Sequence, residues 1–143
     1  MPIEMKYVDD AIGVLYIAKG TLTGEDIIKA DKKQLSNIDS LKKKKYFLGD
    51  FSGADAVEIS TEELEQIAEL GKEMKSIAGN NVIAMVADPD LMSGLNKMWK
   101  VIVDIEGYEW HTNIFRKRDA AEIWLKSIAK NLFAIDLTIQ NSN

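Results

Sequence analysis

Two rhythms of apolar residues alternate along this chain. One is the short run or every-second-residue pattern of a strand; the other places an apolar residue at every third or fourth position, as in a helix. Ile3, Met5 and Tyr7 alternate with polar neighbours and predict a first strand, closed by Asp9 and Asp10. Residues 12–18 predict a second strand that ends at Gly20. Thr23 then caps a helix over about 24–36, with Asp26 in the place of a capping-box acid and a ragged inward stripe of Ile27, Ile28, Ala30 and Leu35. Four consecutive lysines, 42–45, read as a solvated loop. A third strand over 46–51 follows, with Ser52, Gly53, Ala54 and Asp55 as its turn. Ser60 and Glu63 form a capping box for a helix with apolar residues from Leu64 to Met74, stopped near Gly79.

The continuous apolar run 82–87 is the mark of a strand buried on both faces. Asp88 as N-cap and Pro89 at the first helical position open the next helix. That third helix, 91–103, carries more apolar residues than one face needs. Leu91, Leu95, Met98 and Ile102 form one stripe; Met92, Trp99 and Val103 form a second. One stripe can pack on a sheet. The other must meet a neighbouring helix, a second subunit or a ligand. Residues 108–115 predict an edge strand, and a last helix turns Ala121, Trp124, Leu125, Ile128 and Leu132 inward. In the tail, Phe133, Ile135, Leu137 and Ile139 alternate with smaller or polar residues, the period of a strand. The order is β-β-α-β-α-β-α-β-α: an α/β fold with a mixed, mostly parallel five-stranded sheet and four helices. Residues 1–132 make one domain, and 133–143 an extension expected to form a strand in a subunit contact, hence a homodimer.

At 143 residues the chain suits a single core. A net charge of -5 argues against nucleic acid as a partner. The absence of cysteine removes thiolate nucleophiles and Cys-bound metals. The N-terminus lacks the apolar segment of a signal peptide and no run approaches membrane-span length, so the expectation is a cytoplasmic protein that is not integral to a membrane. No dinucleotide fingerprint, phosphate-binding loop or nucleophile elbow is present. The single histidine, His111, has Glu109 and Asn113 on its strand face, but a solvated edge side chain is the plainer reading. The other acidic pairs sit at turns and helix starts, where capping accounts for them. No catalytic residue, metal site or cofactor is expected.

Several motifs, in order, resemble the SpoIIAA-like family, also described as STAS/SEC14-like. They are Gly20-Thr21-Leu22-Thr23, Phe47-Leu48-Gly49-Asp50-Phe51-Ser52-Gly53, Gly94-Leu95-Asn96-Lys97-Met98, and Phe115-Arg116 with Ala121-Glu122-Ile123-Trp124-Leu125. The resemblance implies an α/β sandwich and a non-catalytic binding or regulatory module. STAS domains bind protein partners, and in anti-sigma-factor antagonists a serine at the start of the second helix is phosphorylated. Here that position is Ser60. Glu58, Glu62 and Glu63 flank it, so a phosphate would meet like charge, and a plain N-cap is the reading preferred. SEC14-like domains bind lipids or other apolar molecules under a mobile helix. That alternative falls on Met92, Leu95, Met98, Trp99 and Ile102 as contacts to an apolar ligand or partner, with Gly94 softening the helix.

Overall fold

The structure is a computed structural model that describes residues 3–106 and 111–139; the side chains of Met92, Leu95, Trp99 and 103–106 lie outside that description. The elements run β1 (Glu4–Val8), β2 (Gly13–Thr23), α1 (Gly24–Leu35), α2 (Ile38–Lys43), β3 (Tyr46–Glu58), α3 (Thr61–Ala78), β4 (Val82–Val86), α4 (Pro89–Glu106), β5 (Thr112–Phe115) and α5 (Arg118–Phe133). The five strands lie in sequence order across one sheet. β1 is antiparallel to β2, and every later pair is parallel. The mixed, mostly parallel sheet is therefore the one the sequence predicts. Its helix inventory is larger by the short α2.

Alternation along the strands sorts side chains to two faces. Val14, Tyr16 and Ala18 of β2, with Phe51 of β3 and Met85 of β4, pack against Ile27 and Ala30 of α1, Ile67 and Ala68 of α3, and Leu91 and Ile102 of α4. Leu15, Tyr46, Leu48, Val82, Ala84 and Val86 point the other way, against Ala121, Leu125 and Ala129 of α5. One helix cannot cover that second face. The tail completes it: Leu137 and Ile139 are buried beside α5, with Phe133 and Ile135 packed against the same cluster.

The caps follow the sequence. Thr23 Oγ1 accepts from the Asp26 amide at 3.1 Å. Ser60 and Glu63 make the full reciprocal box. Asp88 accepts from the Leu91 amide at 2.9 Å at the start of α4.

Five expectations are corrected. β3 does not turn at 52–55 but continues to Glu58, because β2 also continues past Gly20 to Thr23 as its parallel partner. The ladder absorbs two register shifts there. Gly20 sits at φ +70, and Gly53 admits the β2 backbone so closely that a Cβ would stand 3.1 Å from the Ala18 carbonyl. Both glycines mark bulges, not strand ends. The four lysines are not one solvated loop: Lys42 and Lys43 end α2, whereas Lys44 is buried. Leu132 is 48% exposed, since α5 turns it away as the helix nears its left-handed end at Ala134. Finally, residues 134–139 form no strand ladder. Their alternation is real, but hydrogen bonds to Asp9 hold them. The Thr138 amide and hydroxyl donate to Oδ1 at 2.8 and 2.6 Å, and the Ile139 amide donates to Oδ2 at 2.9 Å. Of the tail's apolar side chains, Leu137 and Ile139 are buried within the chain, and Phe133 and Ile135 are half-buried.

Candidate functional site

Between the α1–α3–α4 side and the sheet lies a cavity of about 150 Å³. Its floor is strand: Phe47 and Phe51 of β3, Ile83 and Met85 of β4. Gly49, between the two phenylalanines, keeps that floor low. A Cβ there would stand 2.8 Å from the Phe51 ring. The walls are Ile67 and Met74 of α3, and Met98 and Ile102 of α4.

One end is polar. The Tyr16 hydroxyl donates to Asp31 Oδ1 at 2.6 Å and accepts from Gln34 Nε2 at 2.7 Å. Lys44 Nζ donates to Gln34 Oε1 at 2.9 Å and stands 5.6 Å above the centre of the Phe47 ring. Phe47 in turn meets Tyr16 edge-on, with ring centres 4.7 Å apart. All four polar residues are nearly closed to solvent: Tyr16 2%, Asp31 6%, Gln34 2% and Lys44 7% exposed. Asn81 completes this end. Its Nδ2 donates to the Lys44 and Gly79 carbonyls at 3.3 Å each, while its buried Oδ1 has no partner among the described residues.

Electrostatics follow from burial. Loss of water pushes the Lys44 ammonium down to about 8, against the Asp31 carboxylate, which pulls it up. Burial, then the charge of Asp31 and its hydrogen bond, raise the Tyr16 hydroxyl well above its ordinary value. At neutral pH Tyr16 is a neutral donor, and Lys44 is largely charged opposite Asp31.

Of the residues expected from sequence to contact an apolar ligand or partner, Met98 and Ile102 line the cavity, Ile102 buried and Met98 half-buried. The side chains of Met92, Leu95 and Trp99 lie outside those described. Ser60 is an exposed cap at the start of α3 and does not line the cavity. His111 is exposed, its carbonyl accepting from the Ile83 amide, and Glu109 lies outside the described residues. Among the described residues no three His, Asp or Glu side chains group to hold a metal, and no helix is long and apolar enough to cross a membrane.

Sequence reasoning passed over the polar end. A signal for half of it was present. Ile27, Ala30, Asp31 and Gln34 follow the i, i+3, i+4, i+7 spacing of one helix face, so the ragged stripe of α1 was an inward face carrying polar groups. Nothing in the lysine run singled out Lys44.

No family model matches the chain, and no curated protein matches it. Among solved structures, the chain is similar to that of the anti-sigma factor antagonist SpoIIAA in its unphosphorylated form. The two share 11% identity over 85% of this chain and 94% of that one, with a TM-score of 0.52. At that identity the likeness concerns the path of the backbone. The chain has the SpoIIAA-like, or STAS-like, fold.

Proposed function

We propose that this protein is a non-catalytic binding module whose ligand is a small, largely apolar molecule held between the sheet and α4. The observation that carries this reading is the cavity itself: apolar walls with a closed polar cluster at one end, the composition of a small-molecule site. Catalysis has no comparable support. The polar groups are tied to one another, and the single histidine is elsewhere and exposed.

Size narrows the ligand. An apolar cavity of about 150 Å³ is known to accommodate benzene, whereas sites for drug-sized molecules run to about 300–1,000 Å³. A single ring or short chain enters the cavity as it stands. A long-chain lipid requires α4 to move outward, so the carrier reading depends on that helix opening. A role confined to opposing another protein, as the words anti-sigma factor antagonist give for SpoIIAA, leaves the cavity without a task.

Met74, Met85 and Met98 all face the cavity and serve as reporters. Titrating the full chain with toluene should shift their methyl resonances saturably, with that of Met5, which does not line the cavity, unmoved. Native mass spectrometry after mild purification should show a bound small molecule. Unresponsive methyls together with an empty protein would rule this reading out in favour of a module that binds protein partners only.

A further inference from the structure

We propose that the lysine-rich ends of α1 and α2 form a docking surface for an anionic phospholipid membrane, with Ile38 as its apolar anchor. Such docking goes beyond the ligand reading and does not depend on whether the cavity binds a small molecule.

Charge is spread unevenly along the chain. The whole carries a net -5, yet residues 29–45 hold seven lysines against two aspartates. Lys32 and Lys33 lie in the last turn of α1, and Lys42 and Lys43 in that of α2. The hydrogen bond from Lys44 to Gln34 ties the end of α2 to the end of α1, so the two pairs share one end of the molecule. All four are exposed, as is Lys29 one turn earlier in α1. Asp31 is buried, which leaves Asp39 as the exposed acid of this segment. Among the described residues none of these five lysines is in an ion pair, whereas Lys6, Lys72, Lys130 and Arg118 are.

Helix dipoles account for cations at the two C-termini. They do not account for Ile38, which opens α2 and is 41% exposed. Ile38 and Lys42 are four positions apart and lie on one face of that helix. An apolar side chain set among cations suits the boundary between lipid headgroups and acyl chains.

Composition selects the partner. Protein interfaces are depleted in lysine and rely on arginine and aromatic residues, and residues 29–45 contain neither. A lysine near an anionic bilayer strengthens binding by roughly fivefold. A long nucleic acid would also meet the acidic remainder of the chain, whereas a flat membrane meets one face.

Sedimentation of the full chain with vesicles is the test. Pure phosphatidylcholine vesicles should leave the protein in solution. Vesicles containing phosphatidylglycerol should carry it down at about 0.05 M salt and release it at about 0.3 M, where the attraction is screened. Combining Lys32→Gln, Lys33→Gln, Lys42→Gln and Lys43→Gln should weaken binding at least about tenfold, and Ile38→Ser alone about fivefold. Arg116→Gln with Lys117→Gln, exposed beside the start of α5, should change nothing. Equal binding to both kinds of vesicle, or equal loss in the two sets of charge variants, would overturn the proposal. An Ile38→Ser protein that binds unweakened would overturn the anchor. Binding to poly-glutamate or duplex DNA at low salt, with the anionic vesicles left bare, would assign the face to another polyanion and overturn the membrane as partner.

Discussion

Lys44 is the residue on which most of the site's chemistry turns, and its burial has a consequence for stability. Its folded-state value, about 8, lies below the ordinary 10.5 of an unfolded chain. Between these values the unfolded state holds the proton and the folded state does not, so stability rises with pH across that window. Each unit of separation is worth about 1.4 kcal/mol. Tyr16 works oppositely: its raised value costs stability once pH passes 10, where an unfolded tyrosine would ionise. Urea denaturation should therefore show stability climbing from about pH 7.5 to about 9.5 and falling beyond about 10. In Lys44→Met the climb should vanish and the alkaline fall remain. A wild-type profile flat across the first of these ranges would mean that Lys44 is hydrated in solution.

At the scale of elements, α4 is the candidate gate and α3 a fixed wall. Gly94 lies in α4 with open space around the position of a Cβ. Gly94→Ala should stiffen the helix by about 1 kcal/mol without a clash, and so slow exchange of a bound probe more than it alters affinity. Amide exchange should find α4 opening well below the global unfolding free energy while Val82–Val86 stays closed; equal protection would make α4 plain core. The start of α3 is a different case. Ser60→Ala removes one half of an exposed capping box and should cost about 1 kcal/mol in a thermal melt, while leaving probe binding unchanged.

These elements differ in how much of them the sequence disclosed. Where a local signal coincided with a tertiary need, as at Thr23, Ser60 and Asp88, the start of the helix was legible to the residue. Gly20 and Gly53 misled because a glycine at a bulge looks like a glycine at a turn; only the parallel partner tells them apart. Lys44 was hidden for a related reason. Its burial depends on Gln34, ten positions earlier, and on the ring of Phe47 beneath it, a meeting that periodicity does not encode.

Over the whole molecule, the sheet has unequal cover: α1, α3 and α4 on one side, and on the other α5 assisted by an irregular tail. Leu137 and Ile139 are 7% and 3% exposed, and full burial of such side chains is worth about 1.5–3 kcal/mol each. Ending the chain at Phe133 should lower stability by about 3 kcal/mol or more, and lay open apolar surface around Leu15 and Leu48. Light scattering should then find the full chain monomeric and the truncated one associating. A full chain that is dimeric at micromolar concentration would restore the reading in which the tail crosses to a second copy.

The clasp between Asp9 and Thr138 spans 129 positions, nearly the length of the described chain. Contacts of such separation close the largest loop and gain nothing until the elements between them are in place. The clasp should therefore be absent from the folding transition state and act as a latch on the finished protein. Burial alone would raise the Asp9 carboxyl, but the hydrogen bonds from Thr138, Tyr46 and Ile139 outweigh it and hold the group below its ordinary value. The stability it lends is thus present above an unfolded aspartate's pKa and lost as pH falls through the folded one. Asp9→Asn suits the left-handed backbone at φ 53, but it removes the charge and also replaces one of the two accepting oxygens by an amide nitrogen, so either the Thr138 bonds or the Ile139 bond is lost with it. In stopped-flow experiments it should speed unfolding severalfold and leave the refolding rate almost untouched; acidification should do the same to the unaltered protein. A refolding arm slowed by the substitution would show that the two ends of the chain meet early.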